Sequence, residues 1–414
     1  MDYAKTAHKL REQMAKFSGE LSAGLPKVVR RFVAEMIFGI QARGSVLLTE
    51  VGRALGEKIS LKKTEERLSR QLGREHLGDE IQHRLIDYAA ERIEDDTLLV
   101  LDLSDVTKKY ARKMENLARV RDGSAKELAN GYWWLSIVGA NTKGTKVVPL
   151  YGHLYSQREP DHRSENDKIR AGIREVSEAL ERRGIWVMDR GGDRDYLYNY
   201  LLSNRLRFMI RLRKDRGLRT VRGVDSALDL AKTCPMLFTE TIVKEEAGTE
   251  RLVHLSCGMR KVRLPDRKEE LTLVVVKGFG EEPLMILTNL AVRRSRRSIW
   301  HVVRSYMTRW RIEDVIRFVK QSYQLEDVRC LTYHRLQALM VLATAAVYLG
   351  LSMKLRILAG HVLRASKRLF GIPDFRLYAL ADGIRQFLFS QTRGLKRFLA
   401  LQHPWPDQPG LFDP

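Results

Sequence analysis

The chain has 414 residues, of which 44% are hydrophobic and 30% charged, a composition that excludes a disordered or fibrous protein. Its 73 Lys and Arg against 51 Asp and Glu give a formal net charge of +22, which indicates a polyanionic partner, most simply nucleic acid. The three cysteines form no CxxC pair, so neither a disulfide framework nor a cysteine zinc site is expected, in keeping with a reducing cytoplasm.

Residues 1–92 are predicted to form consecutive helices. Apolar residues recur at intervals of three and four in LPKVVRRFVAEMIFGIQA, SVLLTEVGRALG and KKTEERLSRQL. Breaks at Gly44–Ser45 and Gly56–Ser60 predict tight turns between helices. A bundle with a helix-turn-helix-like pair would bind DNA, and a plain bundle with basic solvent faces fits the same pattern.

From about residue 97 the pattern becomes that of strands. TLLVLDLS, YWWLSIVGA and TKVVPLYGHLY predict three strands, with a hairpin turn at NTKG. A helix capped by Ser164 and closed by Gly184 follows, then a strand ending in Asp189, a helix and the strand RFMIRLR. This order predicts an α/β core with a mixed sheet.

The second half of the chain is predicted to interrupt and then resume this core. Residues 214–282 alternate short β-like runs with turns and predict a β-rich insertion. PLMILTNL predicts a strand, and a long helix follows that includes YMTRWRIEDVIRFVK. Leu336–Met353 is uncharged over about the minimum membrane-spanning length, but its polar residues and basic flanks favour a helix buried in a soluble core, so no membrane partner is expected.

Two of the predicted strands end in aspartate. LLVLD and IWVMD place Asp102 and Asp189 where an apolar strand leaves its sheet, and functional sites assemble at strand ends in open α/β sheets. The alternative for each residue is a turn or a helix N-cap. Asp105 competes with Asp102, although alternation puts the two on opposite faces of a continuing strand.

The long helix is predicted to carry a polar stripe within an arc of about 60°. Its members are Tyr306, Arg309, Glu313 and Lys320. The rest of the circumference is mostly apolar, which favours a helix buried on most sides. A structural ladder of ion pairs is the alternative interpretation of the stripe.

Together these residues suit phosphoryl transfer. Asp102, Asp189 and Glu313 supply the oxygen ligands that Mg²⁺ prefers, and two such ions about 4 Å apart stabilise an in-line substitution at phosphorus. No P-loop or HExxH motif occurs in the sequence. His162 with Glu165 could suggest a metal pair, but their position at a helix start favours capping.

These residues resemble a known family. Y-x2-R-x3-E-x6-K is the signature around the last catalytic carboxylate of IS4-type DDE transposases, and Tyr306, Arg309, Glu313 and Lys320 match every spacing. VLD at 100–102 and VMDR at 187–190 resemble the segments that hold that family's first and second aspartates. The resemblance covers about residues 95–350 and implies a ribonuclease-H-like core with a β-rich insertion.

What the resemblance implies is a cut-and-paste DNA transposase. The implied catalytic metal ligands, for two Mg²⁺ ions or Mn²⁺ in their place, are Asp102, Asp189 and Glu313. The implied contacts to DNA are Tyr306, Arg309, Trp310 and Lys320. Such an enzyme cleaves the inverted-repeat ends of a transposon, joins each 3′-OH to target DNA, and acts in a synaptic complex as at least a homodimer. Met285 or Leu284 stands where some members carry a base-stacking Trp, which leaves a hairpin step open.

The predicted organisation is a helical DNA-binding domain at 1–92, a catalytic domain at 93–213 and 283–353, a β-rich insertion at 214–282 and a basic helical segment at 354–414. Two alternatives to a transposase are a nuclease of the same core without strand transfer and an inactive DNA-binding relative. The intact carboxylates argue against the second. A prokaryotic, cytoplasmic protein bound to DNA is expected.

Overall fold

The computed structural model describes residues 3–123, 127–144, 146–246, 249–309, 313, 318, 323–328, 330, 332–351 and 377–389.

Residues 3–90 form five helices joined by short turns, as predicted: α1 (Tyr3–Leu21), α2 (Lys27–Arg43), α3 (Leu48–Leu55), α4 (Leu61–Leu72) and α5 (Leu77–Ala90). Gly44 and Gly56 follow α2 and α3 with φ of 60° and 56°, a left-handed backbone that ends a helix at little cost when the residue is glycine. Ser60 caps α4 by accepting from the backbone N–H of Lys63. No single described helix is long and apolar enough to cross a membrane, and α2 and α3 reach that length only as a pair bent by 96°.

The centre of the molecule is one sheet of ten described strands. They are β1 (Leu98–Thr107), β2 (Ala118–Arg121), β3 (Leu128–Ala140), β4 (Val147–Tyr155), β5 (Ile185–Met188), β6 (Phe208–Arg211), β9 (Met236–Glu246), β10 (Thr249–Val262), β11 (Leu271–Lys277) and β12 (Leu284–Thr288), with β7 (Gly217–Thr220) and β8 (Gly223–Ser226) in a separate hairpin. The strands β1, β3 and β4 are antiparallel neighbours, whereas β5 and β6 run parallel to β1 on its other side. This order, β4-β3-β1-β5-β6, is ribonuclease-H-like and confirms the predicted fold class.

The β-rich stretch at 214–282 extends this same sheet. β12 pairs with β6, and β11, β10 and β9 follow in antiparallel order to the sheet edge. The strands of the insertion therefore join the sheet through β12, which lies between β6 and β11 although it follows them all in the chain. Periodicity predicts the strands of this stretch but gives no information on which neighbours they choose.

The remaining described helices are α6 (Glu165–Ala179), α7 (Asp195–Ser203), α8 (Ala227–Lys232), α9 (Arg296–Met307), α10 (Tyr333–Leu351) and α11 (Leu377–Phe389). The last of these packs on α1, α2 and α10. Ser164 caps α6 as predicted, accepting from Asp167 N at 3.1 Å. The helix ends at Ala179, before the predicted stop at Gly184, because Glu181 and Arg182 both take positive φ.

Helix α10 is buried along most of its length, which confirms the interpretation of its uncharged sequence as a core helix. It packs on β4, α5 and α2. Gln41 of α2 donates to Ala346 O at 2.5 Å, and Gln82 of α5 joins β4 by donating to Leu150 O at 2.7 Å and accepting from Gly152 N at 3.0 Å. The N-terminal helices and the sheet therefore share one hydrophobic core.

Candidate active site

Asp102 and Asp189 lie side by side beyond the contact between β1 and β5. The parallel pairing runs from Leu98 with Ile185 to Val100 with Val187 and stops there. Each aspartate is the second residue past that last pair, so the register alone brings them to the same edge. Two carboxylates contributed by adjacent parallel strands at their carboxyl ends are a typical position for a functional site.

The prediction that β1 ends at Asp102 is wrong. β3 pairs with β1 through Thr107, so Asp102 lies opposite Ser136 in mid-strand and Asp105 lies opposite Trp133. Alternation then puts the two aspartates on opposite faces, as expected. Asp105 Oδ1 accepts from the backbone N–H of Gly123 at 3.2 Å, on the side away from β5.

Asp189 begins a tight 3₁₀ turn, Arg190–Gly192. Its Oδ1 accepts from Gly191 N at 2.7 Å, which fixes the direction of the carboxylate. A Cβ on Gly192 would lie 2.5 Å from Met188 Cβ, so the close return of the chain requires glycine here. The turn-capping role foreseen as an alternative for Asp189 is thus present, together with its position beside Asp102.

The residue that anchors this turn, Asp193, was not identified from the sequence. It is 1% exposed, and its Oδ1 accepts from Arg216 Nε at 2.6 Å and from the Tyr198 hydroxyl at 3.2 Å. Its Oδ2 accepts from Arg213 N at 2.7 Å. Burial opposes the charge on Arg216, but Asp193 and Asp195 outweigh it and raise the pKa of Arg216. The sequence feature that could have indicated Asp193 is its position four residues after Asp189, with Gly191 and Gly192 between them.

The predicted long helix is interrupted. α9 ends at Met307, and Arg309 N donates to Tyr306 O at 3.0 Å, the tighter bond of a 3₁₀ turn. The cause is Thr308, whose hydroxyl donates to Arg304 O at 3.2 Å and to Thr142 O at 3.0 Å, a side-chain competition that bends helices. Glu313 is helical again. The single-helix stripe is therefore wrong for the described residues, and Trp310 and Lys320 lie outside them.

Arg309 nevertheless lies between two of the three predicted carboxylates, Asp102 and Glu313. Its guanidinium lies 2.9 Å from Glu313 Oε1 and 3.9 Å from Asp102 Oδ1, with the Arg309 side chain only 8% exposed. Burial opposes its positive charge, but Tyr306, Asp102, Glu313 and Asp189 outweigh burial and raise the pKa of Arg309. Residues 211 positions apart in the chain therefore share one electrostatic site, from Asp102 to Glu313.

Tyr306 closes the site from the side of α9. It is 1% exposed, and burial raises the pKa of its hydroxyl, whereas the nearby cations Arg309 and Arg211 oppose that rise. Arg211 ends β6, the strand next to β5, and sequence reasoning did not single it out. It brings a second cation to the edge where Asp189 lies.

Asp102, Asp189 and Glu313 have the oxygen ligands that divalent metals prefer, but their side chains are not arranged around one metal position. Among the described residues no group of three or more His, Cys, Asp or Glu side chains is placed to hold a metal ion. The Arg309 guanidinium takes the position of the cation between Asp102 and Glu313. A metal would therefore have to replace the guanidinium there.

The other candidates from the sequence have structural roles. Glu165 contacts Arg194 at 2.5 Å, and His162 stacks on Tyr155 with ring centroids 6.2 Å apart, so the two do not form a metal pair.

Comparison with known proteins gives a match to a sequence family and matches to solved structures. Residues 146–349 match the family model described as the transposase DDE domain. No curated protein matches the chain significantly. A cryo-EM structure of piggyBac transposase in a synaptic complex with hairpin DNA is similar with a TM-score of 0.45 and 12% identity, covering 98% of this chain and 84% of that chain. This likeness is too low to bear on function.

Proposed function

We propose that this chain is a DNA transposase that cleaves transposon ends by phosphodiester hydrolysis and joins the freed 3′-OH to target DNA. The observation that carries the proposal is that Arg309 contacts Glu313 and Asp102, while the register of β1 with β5 brings Asp189 to the same edge as Asp102. Asp189 and Glu313 lie inside the matched transposase DDE domain, and Asp102 precedes it. Two ends must be held at once, so a homodimer on DNA is part of the proposal.

Asp102, Asp189 and Glu313 would hold two Mg²⁺ ions, or Mn²⁺ in their place, because carboxylate oxygens are the ligands these ions prefer. When bound, the ions supply charge neutralisation at the scissile phosphate and lower the pKa of water. Freed from its carboxylates, Arg309 can pair with phosphate oxygens through its planar fork. Tyr306 and Arg211 stand beside it to position the same strand.

The test is excision from a plasmid that carries the DNA flanking the gene, in Mg²⁺ or Mn²⁺. Asp102→Asn, Asp189→Asn and Glu313→Gln should each abolish cleavage while leaving binding to the terminal DNA. Asp105→Asn is the matched control, since it lies on the same strand but faces Gly123, and it should retain cleavage. Retained cleavage in any of the first three removes that residue from the site. Cleavage without joining would identify a nuclease.

A further inference from the structure

A second cationic site lies along α9, upstream of Tyr306. It is a cleft of about 580 Å³ between α9 and the turn that joins β3 to β4. Its cationic lining residues are Lys143, Arg293, Arg297 and Arg304, with Trp300 and His301 beside them. None of its described lining residues is acidic. The cleft therefore has positive charge on both walls.

Among the residues that the structure describes, the α9 cations that line the cleft, Arg297 and Arg304, form no ion pair with an acidic side chain. Its first turn contains no acidic residue, although cations at a helix N-terminus are unfavourable because the helix dipole is positive there. Arg296, in the same turn, is neutralised by Glu240 at 2.6 Å and does not line the cleft. The cations that do line it are placed for an anion from outside the chain.

An independent observation points to a ligand in the cleft. Ser305 lines it, is 0% exposed, and its hydroxyl has no hydrogen-bond partner among the residues that the structure describes. Serines in helices usually satisfy the hydroxyl on the preceding turn, and buried polar groups without a partner are rare. A phosphate oxygen in the cleft would accept this hydrogen bond.

The spacing of the cations matches an extended polyanion. Arg297, His301 and Arg304 stand at i, i+4 and i+7, on one helix face, and span about 10 Å at ~1.5 Å per residue. A nucleic-acid strand carries one phosphate per nucleotide, so a row of cations along one face suits a strand better than a single anion. Thr308 fixes the opposite wall by donating to Thr142 O at 3.0 Å.

We propose that this cleft binds a DNA strand through its phosphates, with half-buried Trp300 offering an aromatic face to a base, and leads that strand to the carboxylates beyond Tyr306. The inference rests on the proposed function, since it names the polyanion that reaches the same site. Phosphate contacts set position without reading sequence, and base stacking tolerates any base. The strand belongs either to the transposon end or to the target.

The test measures the affinity of the full chain for a labelled duplex across a series of salt concentrations. Lys143→Ala, Arg297→Ala and Arg304→Ala should each lower the slope of log K against log salt by about 0.9, and the triple variant by about 2.7. Arg304→Lys should keep the wild-type slope, because a point charge suffices for a phosphate. Arg296→Ala is the matched control and should also keep it, because Arg296 is paired with Glu240. Thermal melting confirms that each variant is folded.

Two duplexes distinguish the source of the strand. Weakened binding only to the terminal flanking DNA assigns the cleft to the transposon end, and equal weakening on an unrelated duplex assigns it to target DNA. If the folded triple variant keeps the wild-type slope of log K against log salt, the cleft does not bind DNA, and the transposase proposal is unaffected. If the wild type cleaves no flanking DNA, the transposase proposal is overturned. If the triple variant nevertheless shows a lower slope of log K against log salt, the cleft remains a DNA site.

Discussion

Single side chains set the position of the carboxylate site. Asp193 and Asp195 both contact Arg216, yet Asp193 is 0% exposed at its side chain and Asp195 is 75% exposed. Since removing one partner of a buried ion pair costs about 3–5 kcal/mol and an exposed pair contributes about 0–1 kcal/mol, Asp193→Asn should destabilise the chain far more than Asp195→Asn. Urea unfolding of both variants measures the difference, and equal losses would show that Asp193 does not anchor the turn.

Arg309 provides a second prediction at this scale. Arg309→Gln leaves the carboxylates of Asp102 and Glu313 without the cation between them, so the variant should melt below the wild type in EDTA. Mg²⁺ should then raise its melting temperature more than that of the wild type, because no guanidinium has to be displaced. At a Mg²⁺ concentration 100 times the dissociation constant, binding adds about 2.7 kcal/mol to the free energy of unfolding. Adding Glu313→Gln should remove the Mg²⁺ effect, and an effect that persists would place the ion elsewhere.

At the scale of elements, Lys108 ties the end of β1 to the 3₁₀ turn Leu325–Asp327 and to Val328. It is 2% exposed, and its ammonium donates to the carbonyls of Leu325, of Glu326 at 3.3 Å and of Val328 at 3.0 Å. Burial lowers the pKa of Lys108 to about 8, and the charges of Glu326 and Asp327 oppose that shift. This buried lysine thus holds Leu325–Asp327, a 3₁₀ turn, against the strand that carries Asp102.

Lys108→Met should destabilise the chain by about 1–3 kcal/mol at pH 7, because buried carbonyls lose their donor. In the wild type the folded pKa of about 8 lies below the unfolded value of about 10.4, so the unfolded state binds more protons between these values and stability rises with pH. The deficit of the variant should therefore widen from pH 8 to 10. Urea unfolding at pH 7 and pH 9.5 measures it, with exposed Lys109→Met as the control. A stability difference that becomes smaller with rising pH would contradict the lowered pKa of Lys108.

The sequence predicted the order of strands and helices in the core because their hydrophobic periods are local. It also predicted that Asp102 and Asp189 follow apolar strands. It did not predict that β1 continues past Asp102, because that depends on β3 as a partner. Nor did it predict the break at Thr308, whose hydroxyl bonds to Thr142 on a distant turn. Arg211 and Asp193 were missed because their neighbours are supplied by other elements.

At the scale of the whole molecule, the helical N-terminus and the sheet depend on each other through α10. Deleting residues 1–92 removes α2 and α5, which cover α10 and β4. The truncated chain should then expose a continuous apolar face, bind a hydrophobic dye strongly and aggregate. Gln82→Ala in the full chain is the milder control, since it removes only the two bonds to β4, and it should stay monodisperse. A soluble truncated chain with a sharp thermal transition would show that the sheet folds alone.

The break at Thr308 has a consequence for how the site becomes competent. Asp102 and Asp189 are fixed to strands of one sheet, whereas Glu313 comes after the joint formed by the turn at Thr308 and Arg309 and belongs to none of the described strands. A small rotation at the joint changes the distance from Glu313 to the other two without disturbing any strand. The joint is held by Thr142, next to Lys143 in the cationic cleft. Under the proposed function, a DNA strand bound in the cleft would therefore lie next to the joint that sets the position of Glu313.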